Sequence, residues 1–215
     1  VLDELRIFAT ALTDSQVALL MTERTACSQS LQCFTDDFNR ASLGNDWAVS
    51  SSRGSFAPSI VNGRLRLTQD QPEEATALSL RKILPASDNL VIVQFDYYGW
   101  SPNSGSGADG MAAIFSDASV TPRAGAYGGS LGYAQKTGIN GFAGGWLGVG
   151  LDEFGNYSAA SEGREGGPGY RTNAVALRGS GSGTSGYRYL IGTSANLSPA
   201  IDARSSNVAA PGHRY

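Results

Sequence analysis

The residues best suited to chemistry lie at 147–158, where the apolar run LGVGL is followed by DEFGNYS. Asp152, Phe154 and Asn156 are spaced two residues apart, so in an extended chain they face the same side. Carboxylate, carbonyl and amide oxygens are the ligands of Ca²⁺, which binds about six to eight of them. Asp and Asn also hydrogen-bond readily to nearby backbone and close turns. Taken alone, the stretch favours a hairpin turn over a cation site, and both interpretations stay open.

Two earlier stretches have the same ambiguity, GADGMAAIF at 107–115 and YGGSLGY at 127–133. Asp109 followed by glycine is typical of a turn that precedes a strand. Gly128 and Gly129 are typical of the tip of a loop. Taken alone, each of these two stretches predicts a structural role and no binding function.

In this order the three stretches resemble the L-type, or legume-lectin-like, lectins over roughly residues 35–215. That family has an Ala-Asp-Gly before a buried strand, here at 108–110. It then has a Gly-rich loop, here at 128–132, and a strand that runs into a metal-binding loop. The resemblance implies a concanavalin A-like jelly roll, which is an antiparallel β-sandwich. It extends to secreted bacterial versions, such as those in the MshQ-like surface proteins of MSHA pilus biogenesis.

The resemblance also implies one Ca²⁺ site. Its ligands would be the Asp152 carboxylate, the Phe154 carbonyl, the Asn156 amide and the Glu162 carboxylate, with Glu165 as the alternative to Glu162. Legume members hold a transition metal as well, through a Glu two residues before that Asp and a His on the next strand. Gly150 takes the first position and the strand near TNAVALRG has no His, so no transition metal is expected. Without that second ion, the loop either binds Ca²⁺ more weakly or is held by Glu162 and Arg164 instead.

The carbohydrate site implied by the resemblance uses the same stretches. The Asp accepts hydrogen bonds from two adjacent hydroxyls, a Gly-loop N–H and the Asn amide donate, and an aromatic ring stacks on the sugar. An ionised acceptor suits vicinal hydroxyls, because charge-assisted hydrogen bonds are the stronger ones. The corresponding residues are Asp109, Gly129 or Gly128, Asn156, and Tyr157 or Tyr127. In the family the Ala-Asp bond is cis, which predicts a cis bond between Ala108 and Asp109.

The elements that must position these residues are almost all strands. Alternating or short apolar runs predict strands in SFAPSIVNGRLRLT, ATALSLRKI, LVIVQFDYYGW, GMAAIFS, WLGVGL and NAVALRG. The Asn-Gly pair at 62–63 predicts a hairpin turn. Many short strands separated by Gly-rich turns favour an all-β antiparallel sandwich.

The N-terminal part predicts a different unit. Residues 1–22 contain LDELRIFATALTDSQVALLM, which resembles the closing strand and helix of a laminin-G-like domain; an unrelated hairpin and helix is the alternative. Residues 23–34 predict a polar linker, and 35–215 predict a lectin-like module that is incomplete at its C-terminus. Both ends indicate a piece of a longer protein, whose other domains would be its partners.

Cys27 and Cys33 lie in the predicted linker. Two cysteines so close predict either a small disulfide loop in an exported protein or two free thiols. A metal pair would need further Cys or His residues, and the sole histidine is His213. The expected localisation is extracellular, cell-surface or periplasmic.

Composition argues against two classes of partner. The 215 residues carry a net charge of −3, so no basic surface for nucleic acid is expected. No apolar run reaches the ~18 residues of a membrane span, so no membrane insertion is expected.

The expected function is calcium-assisted binding of a glycan or polysaccharide by an exported module of a bacterial surface or pilus-associated adhesin. The alternative is a structural spacer or protein-interaction module that keeps a lectin fold without sugar binding. A glycoside hydrolase is less favoured, because it needs two carboxylates on one face. Gly150 and Phe154 occupy the positions two residues either side of Asp152, so no enzyme activity is expected.

Overall fold

The computed structural model of the protein describes residues 34–84, 91, 93–99, 107–201 and 213–215. The predicted laminin-G-like edge at 1–22 and the pair Cys27 and Cys33 lie outside the described residues. The described part is nearly all β, as the sequence predicts, and its helical segments are the 3₁₀ turns Gly128–Ser130 and Asn156–Ser158. Within these ranges no helix is long and apolar enough to cross a bilayer.

The strands of the described part follow one another in short segments. They are β1 (Trp47–Arg53), β2 (Ser59–Val61), β3 (Arg64–Arg66), β4 (Ala75–Leu80), β5 (Asp96–Tyr97), β6 (Gly110–Ser116), β7 (Gly145–Asp152), β8 (Ala174–Arg178), β9 (Gly181–Ser182), β10 (Ser185–Gly186), β11 (Tyr189–Gly192) and β12 (His213–Arg214).

The main sheet has four antiparallel strands in the order β11–β8–β7–β6. β7 is paired on both sides, with Leu151 opposite Met111 of β6 and Val175 of β8. The other strands form the antiparallel pairs β1–β4, β2–β3, β5–β12 and β9–β10. The hairpin turn predicted at 62–63 joins β2 to β3, and both of its residues have positive φ, 51° and 69°.

The central part of the main sheet, around residues 147–152 of β7, is buried on both faces, and the two faces differ in residue size. On one face Val149 and Leu151 pack with Phe95 and Ile201 in one apolar cluster. The next residues along β7 face the other way, because side chains alternate along a strand. They are glycines, and the space above them is filled by the aromatic rings of a second cluster.

Tyrosine rings pack directly on Gly148 and Gly150 of β7, where a side chain would leave no room for them. A Cβ on Gly148 would lie 2.3 Å from the ring of Tyr133, and one on Gly150 would lie 2.4 Å from the ring of Tyr157. The hydroxyl of Tyr157 donates to the Gly148 carbonyl oxygen at 3.2 Å. These contacts fix the segments that follow Gly128 and Asn156 against the sheet.

A buried arginine on β8 also holds the neighbouring loops against the sheet. Arg178 is fully buried, and burial lowers its pKa to about 10. Its guanidinium donates to backbone carbonyl oxygens of neighbouring loops. The acceptors are Tyr157 at 2.8 Å, Glu165 at 2.9 Å, Tyr187 at 2.9 Å, Ala159 at 3.1 Å and Gly166 at 3.4 Å. Arg178 therefore ties the loop after β7 to the sheet through main-chain contacts.

Candidate functional site

The site begins where β6 starts and β7 ends. Because Gly110 lies opposite Asp152, the residue before β6 falls beside the loop after β7. The Asp109 carbonyl oxygen accepts the N–H groups of Glu153 at 3.0 Å and Phe154 at 3.3 Å. The peptide bond between Ala108 and Asp109 is cis, as predicted.

The Gly-rich loop and Asn156 complete the arrangement around Asp109. The side chain of Asn156 lies beside the Asp109 carboxylate and acts to lower its pKa. A Cβ on Gly129 would lie 2.0 Å from Asn156 Cγ, so Gly129 is in direct contact with that amide. A Cβ on Gly128 would lie 3.8 Å from Asp109 Oδ2. The structure thus brings together the predicted carbohydrate-binding residues Asp109, Gly128, Gly129 and Asn156.

Three charged side chains surround this group. Glu162 is 2.9 Å from Lys136 Nζ through one carboxylate oxygen and 2.9 Å from an Arg164 guanidinium nitrogen through the other. Arg164 is buried and also donates to Ser130 Oγ at 3.1 Å. The Gly-rich loop is therefore linked to the 161–164 segment through a guanidinium group.

The electrostatics of Asp109 follow from this setting. Burial raises the pKa of Asp109, while the Asn156 amide and the charges of Arg164 and Lys136 oppose the rise. For Glu162 burial acts in the same upward direction, but hydrogen bonds from Lys136 and Arg164 outweigh it, and its pKa is lowered. Both cations pair with Glu162, so Asp109 has no ion pair of its own among these groups.

Asp152 is fully buried, and its carboxylate accepts hydrogen bonds from the backbone of the loop that follows it. One carboxylate oxygen accepts the Gly155 N–H at 2.7 Å and the other accepts the Tyr157 N–H at 2.8 Å. Burial raises the pKa of Asp152 to about 6, although these hydrogen bonds favour the ionised form. The Asp152 side chain therefore closes a turn in DEFGNYS, which is one of the two roles predicted for it from the sequence.

The two candidate stacking tyrosines do not present free rings. Tyr157 is fully buried in the core, so its assignment as a carbohydrate-stacking residue is wrong. The Lys136 ammonium lies 4.1 Å from the centre of the Tyr127 ring. A different ring is exposed in the loop that follows Asp152. Phe154 is 44% exposed and packs edge-on against Tyr170, which is 56% exposed, with ring centres 6.1 Å apart.

The predicted calcium ligands can be tested against these contacts. Glu162 is paired with two cations, both oxygens of Asp152 accept backbone N–H groups, and the Phe154 carbonyl accepts the Thr172 hydroxyl at 3.2 Å. Asn156 Oδ1 alone is buried without a hydrogen-bond partner. Across the described ranges, no group of three or more His, Cys, Asp or Glu side chains could hold a metal ion. With both oxygens of Glu162 paired with cations, the predicted ligand set in this arrangement lacks its second carboxylate and does not fit a calcium ion.

Three features of the site were missed by sequence reasoning. Lys136 was assigned no role, although it is one of the chain's two lysines. Phe154 was assigned only a carbonyl role, and its exposed ring could have been expected from its position in a polar loop. The burial of Arg178 was not predicted, because an arginine at the end of a strand is usually exposed.

Comparisons with known proteins add no family. No protein-family model matches the chain, and no curated protein matches it. The functional assignment therefore rests on the geometry of this site.

Proposed function

We propose that this protein is a carbohydrate-binding module of exported, surface-associated type, built on a concanavalin A-like jelly roll. The observation that carries the proposal is the convergence of Asp109, Gly129 and Asn156, which come from three separate segments. A partly buried carboxylate held by an amide at the end of a sheet is suited to bind hydroxyl groups.

The hydrogen-bonding capacity of the site suits a pair of adjacent sugar hydroxyls. The Asp109 carboxylate can accept from both, since an ionised carboxylate has about four lone-pair sites. The N–H groups of Gly128 and Gly129 lie in the first turn of a 3₁₀ segment, where N–H groups have no partner within the helix. They can donate to a hydroxyl oxygen bound at Asp109. Donors and acceptors of this kind suit a polyol.

The charges of the site disfavour an acidic sugar. Lys136 and Arg164 are both paired with Glu162, and Asp109 and Asp152 add negative charge. The exposed Phe154 and Tyr170 rings offer a face for the C–H side of a sugar ring. We therefore expect neutral hexoses to be favoured over acidic sugars.

The test is Asp109→Asn on a glycan array, with Asp70→Asn as the matched control at an exposed position. Asp109→Asn should lower the affinity at least tenfold, because a neutral amide replaces the charged acceptor. Thermal unfolding should show that both variants fold. Undiminished binding by Asp109→Asn would place the site elsewhere, and a wild type that binds no glycan would favour the spacer function.

Enzyme activity is not part of the proposal. Oligosaccharides that bind on the array should be recovered intact after long incubation with the protein. Steady release of shorter products would instead support a hydrolase.

A further inference from the structure

We propose that Arg164, which shares the carboxylate of Glu162 with Lys136, takes the structural role of a bound cation, so that the carbohydrate site needs no Ca²⁺. The part of this inference that concerns sugar binding rests on the function proposed above. The part that concerns the metal does not, because metal binding can be measured without a sugar.

The first support is the state of the Asp152 oxygens. Both accept short backbone hydrogen bonds from the loop that a calcium ion would organise, at 2.7 Å from Gly155 N and 2.8 Å from Tyr157 N. These two hydrogen bonds close the loop with protein donors alone, so its conformation is held without a metal ion.

The second support is the position of Arg164. It is only 3% exposed, and its guanidinium contacts Ser130 Oγ at 3.1 Å, Ser161 Oγ at 2.8 Å and Glu162 at 2.9 Å. Its charge also lowers the pKa of Asp109 against the effect of burial. A fixed positive charge therefore already joins two loops and acts on the binding carboxylate, which are two things a bound cation would do.

The third support is the state of Glu162, the fourth ligand of the predicted set. The carboxylate of Glu162 is shared by two cations, and a divalent ion that approached it would be repelled by Lys136 and Arg164.

The metal test uses the wild-type chain and CaCl₂ alone. Thermal unfolding in CaCl₂ and in EDTA should give the same midpoint within about 1 °C, since a ligand that does not bind the folded state cannot stabilise it. A midpoint that rises with CaCl₂ concentration and returns in EDTA would overturn the inference.

The residue test uses Glu162→Gln and Arg164→Gln. Glu162 is a half-exposed member of the network, so Glu162→Gln is expected to fold even where Arg164→Gln does not. Both variants should have lower unfolding midpoints than the wild type, and CaCl₂ should not restore them. Restoration of either midpoint by CaCl₂ would show that the network and a metal are interchangeable and would refute the inference.

Binding to a glycan captured by the wild type separates the two proposals. The wild type should bind it equally in CaCl₂ and in EDTA, and Glu162→Gln should bind it less well in both. Loss of wild-type binding in EDTA would overturn calcium independence and leave the carbohydrate function standing. Absence of any glycan ligand would refute the carbohydrate function, and the midpoint in CaCl₂ would still decide the metal question.

Discussion

Gly129→Ala is the sharpest perturbation of the proposed site. Gly129 does not need a positive φ, so alanine fits its backbone, and the effect comes from the added methyl group alone. That methyl carbon would lie 2.0 Å from Asn156 Cγ, 2.1 Å from Oδ1 and 2.4 Å from Nδ2. Carbon atoms in contact are about 3.5–4.0 Å apart, so the amide must move by about 1.5 Å. A shift of that size takes the amide away from the Asp109 carboxylate, whose ionised form it favours.

The magnitude follows from two effects. A hydrogen bond to a charged group contributes about 1.5–3 kcal/mol, and overpacking costs about 1–3 kcal/mol. We expect a loss of about 3 kcal/mol in unfolding free energy, which corresponds to roughly 6–12 °C in the midpoint for a domain of this size. Loss of the oriented amide should weaken sugar binding by about 10- to 100-fold.

The assay is a double-mutant cycle measured by thermal unfolding. Because the clash is with the Asn156 side chain, Gly129→Ala should cost far less in an Asn156→Ala background than in the wild type. Gly138→Ala is the control: Gly138 has a φ of 75° and open space around its Cβ, so it reports backbone strain without a clash. Additive losses for Gly129→Ala and Asn156→Ala would refute the proposed contact.

Three further predictions concern the supports of the site. The pKa of Asp152 is raised from 3.8 to about 6, so its protonation stabilises the folded state. Unfolding free energy should therefore rise by up to ~3 kcal/mol as pH falls from about 7 to 4, and chemical denaturation of Asp152→Asn should show a flatter profile. Arg178→Lys should lose about 3–5 kcal/mol, because an ammonium cannot reach the same carbonyls, whereas exposed Arg188→Lys should change stability by less than about 0.5 kcal/mol. Phe154→Ala should weaken sugar binding about 3- to 10-fold in calorimetric titration and Phe154→Tyr should preserve it; equal losses would argue against stacking.

Many of the strands and one hairpin turn were predictable from local apolar runs and turn residues. The runs GMAAIFS and WLGVGL predicted strands that became β6 and β7, and ATALSL became β4. The Asn-Gly pair at 62–63 fixed a hairpin, because both residues tolerate positive φ. LVIVQFDYYGW was predicted as one alternating strand, and within its described residues only β5 (Asp96–Tyr97) is a strand. Strand length depends on pairing with distant segments, which local alternation does not reveal.

The site was predictable only in part. Asp109, Gly128, Gly129 and Asn156 were found through the order of their stretches, and the structure brings them together. Tyr157 was misassigned, because the direction of its ring depends on a space in a neighbouring strand. Glu162 and Arg164 were named together as one way of holding the loop, and they form an ion pair, whereas the second partner of Glu162, Lys136, is distant in sequence and was missed.

Gly150 explains both the burial of the Tyr157 ring and the conformation of the loop after β7. In the sequence it marks the position where a metal-binding lectin would carry a carboxylate. In the structure a Cβ at Gly150 would lie 2.4 Å from the Tyr157 ring, so the missing side chain is the space that this ring fills. With its ring held there, Tyr157 places its N–H 2.8 Å from the Asp152 carboxylate, which closes the loop after β7. Gly150 therefore leaves no carboxylate at this position of β7, and by accommodating the Tyr157 ring it also positions the backbone of that loop.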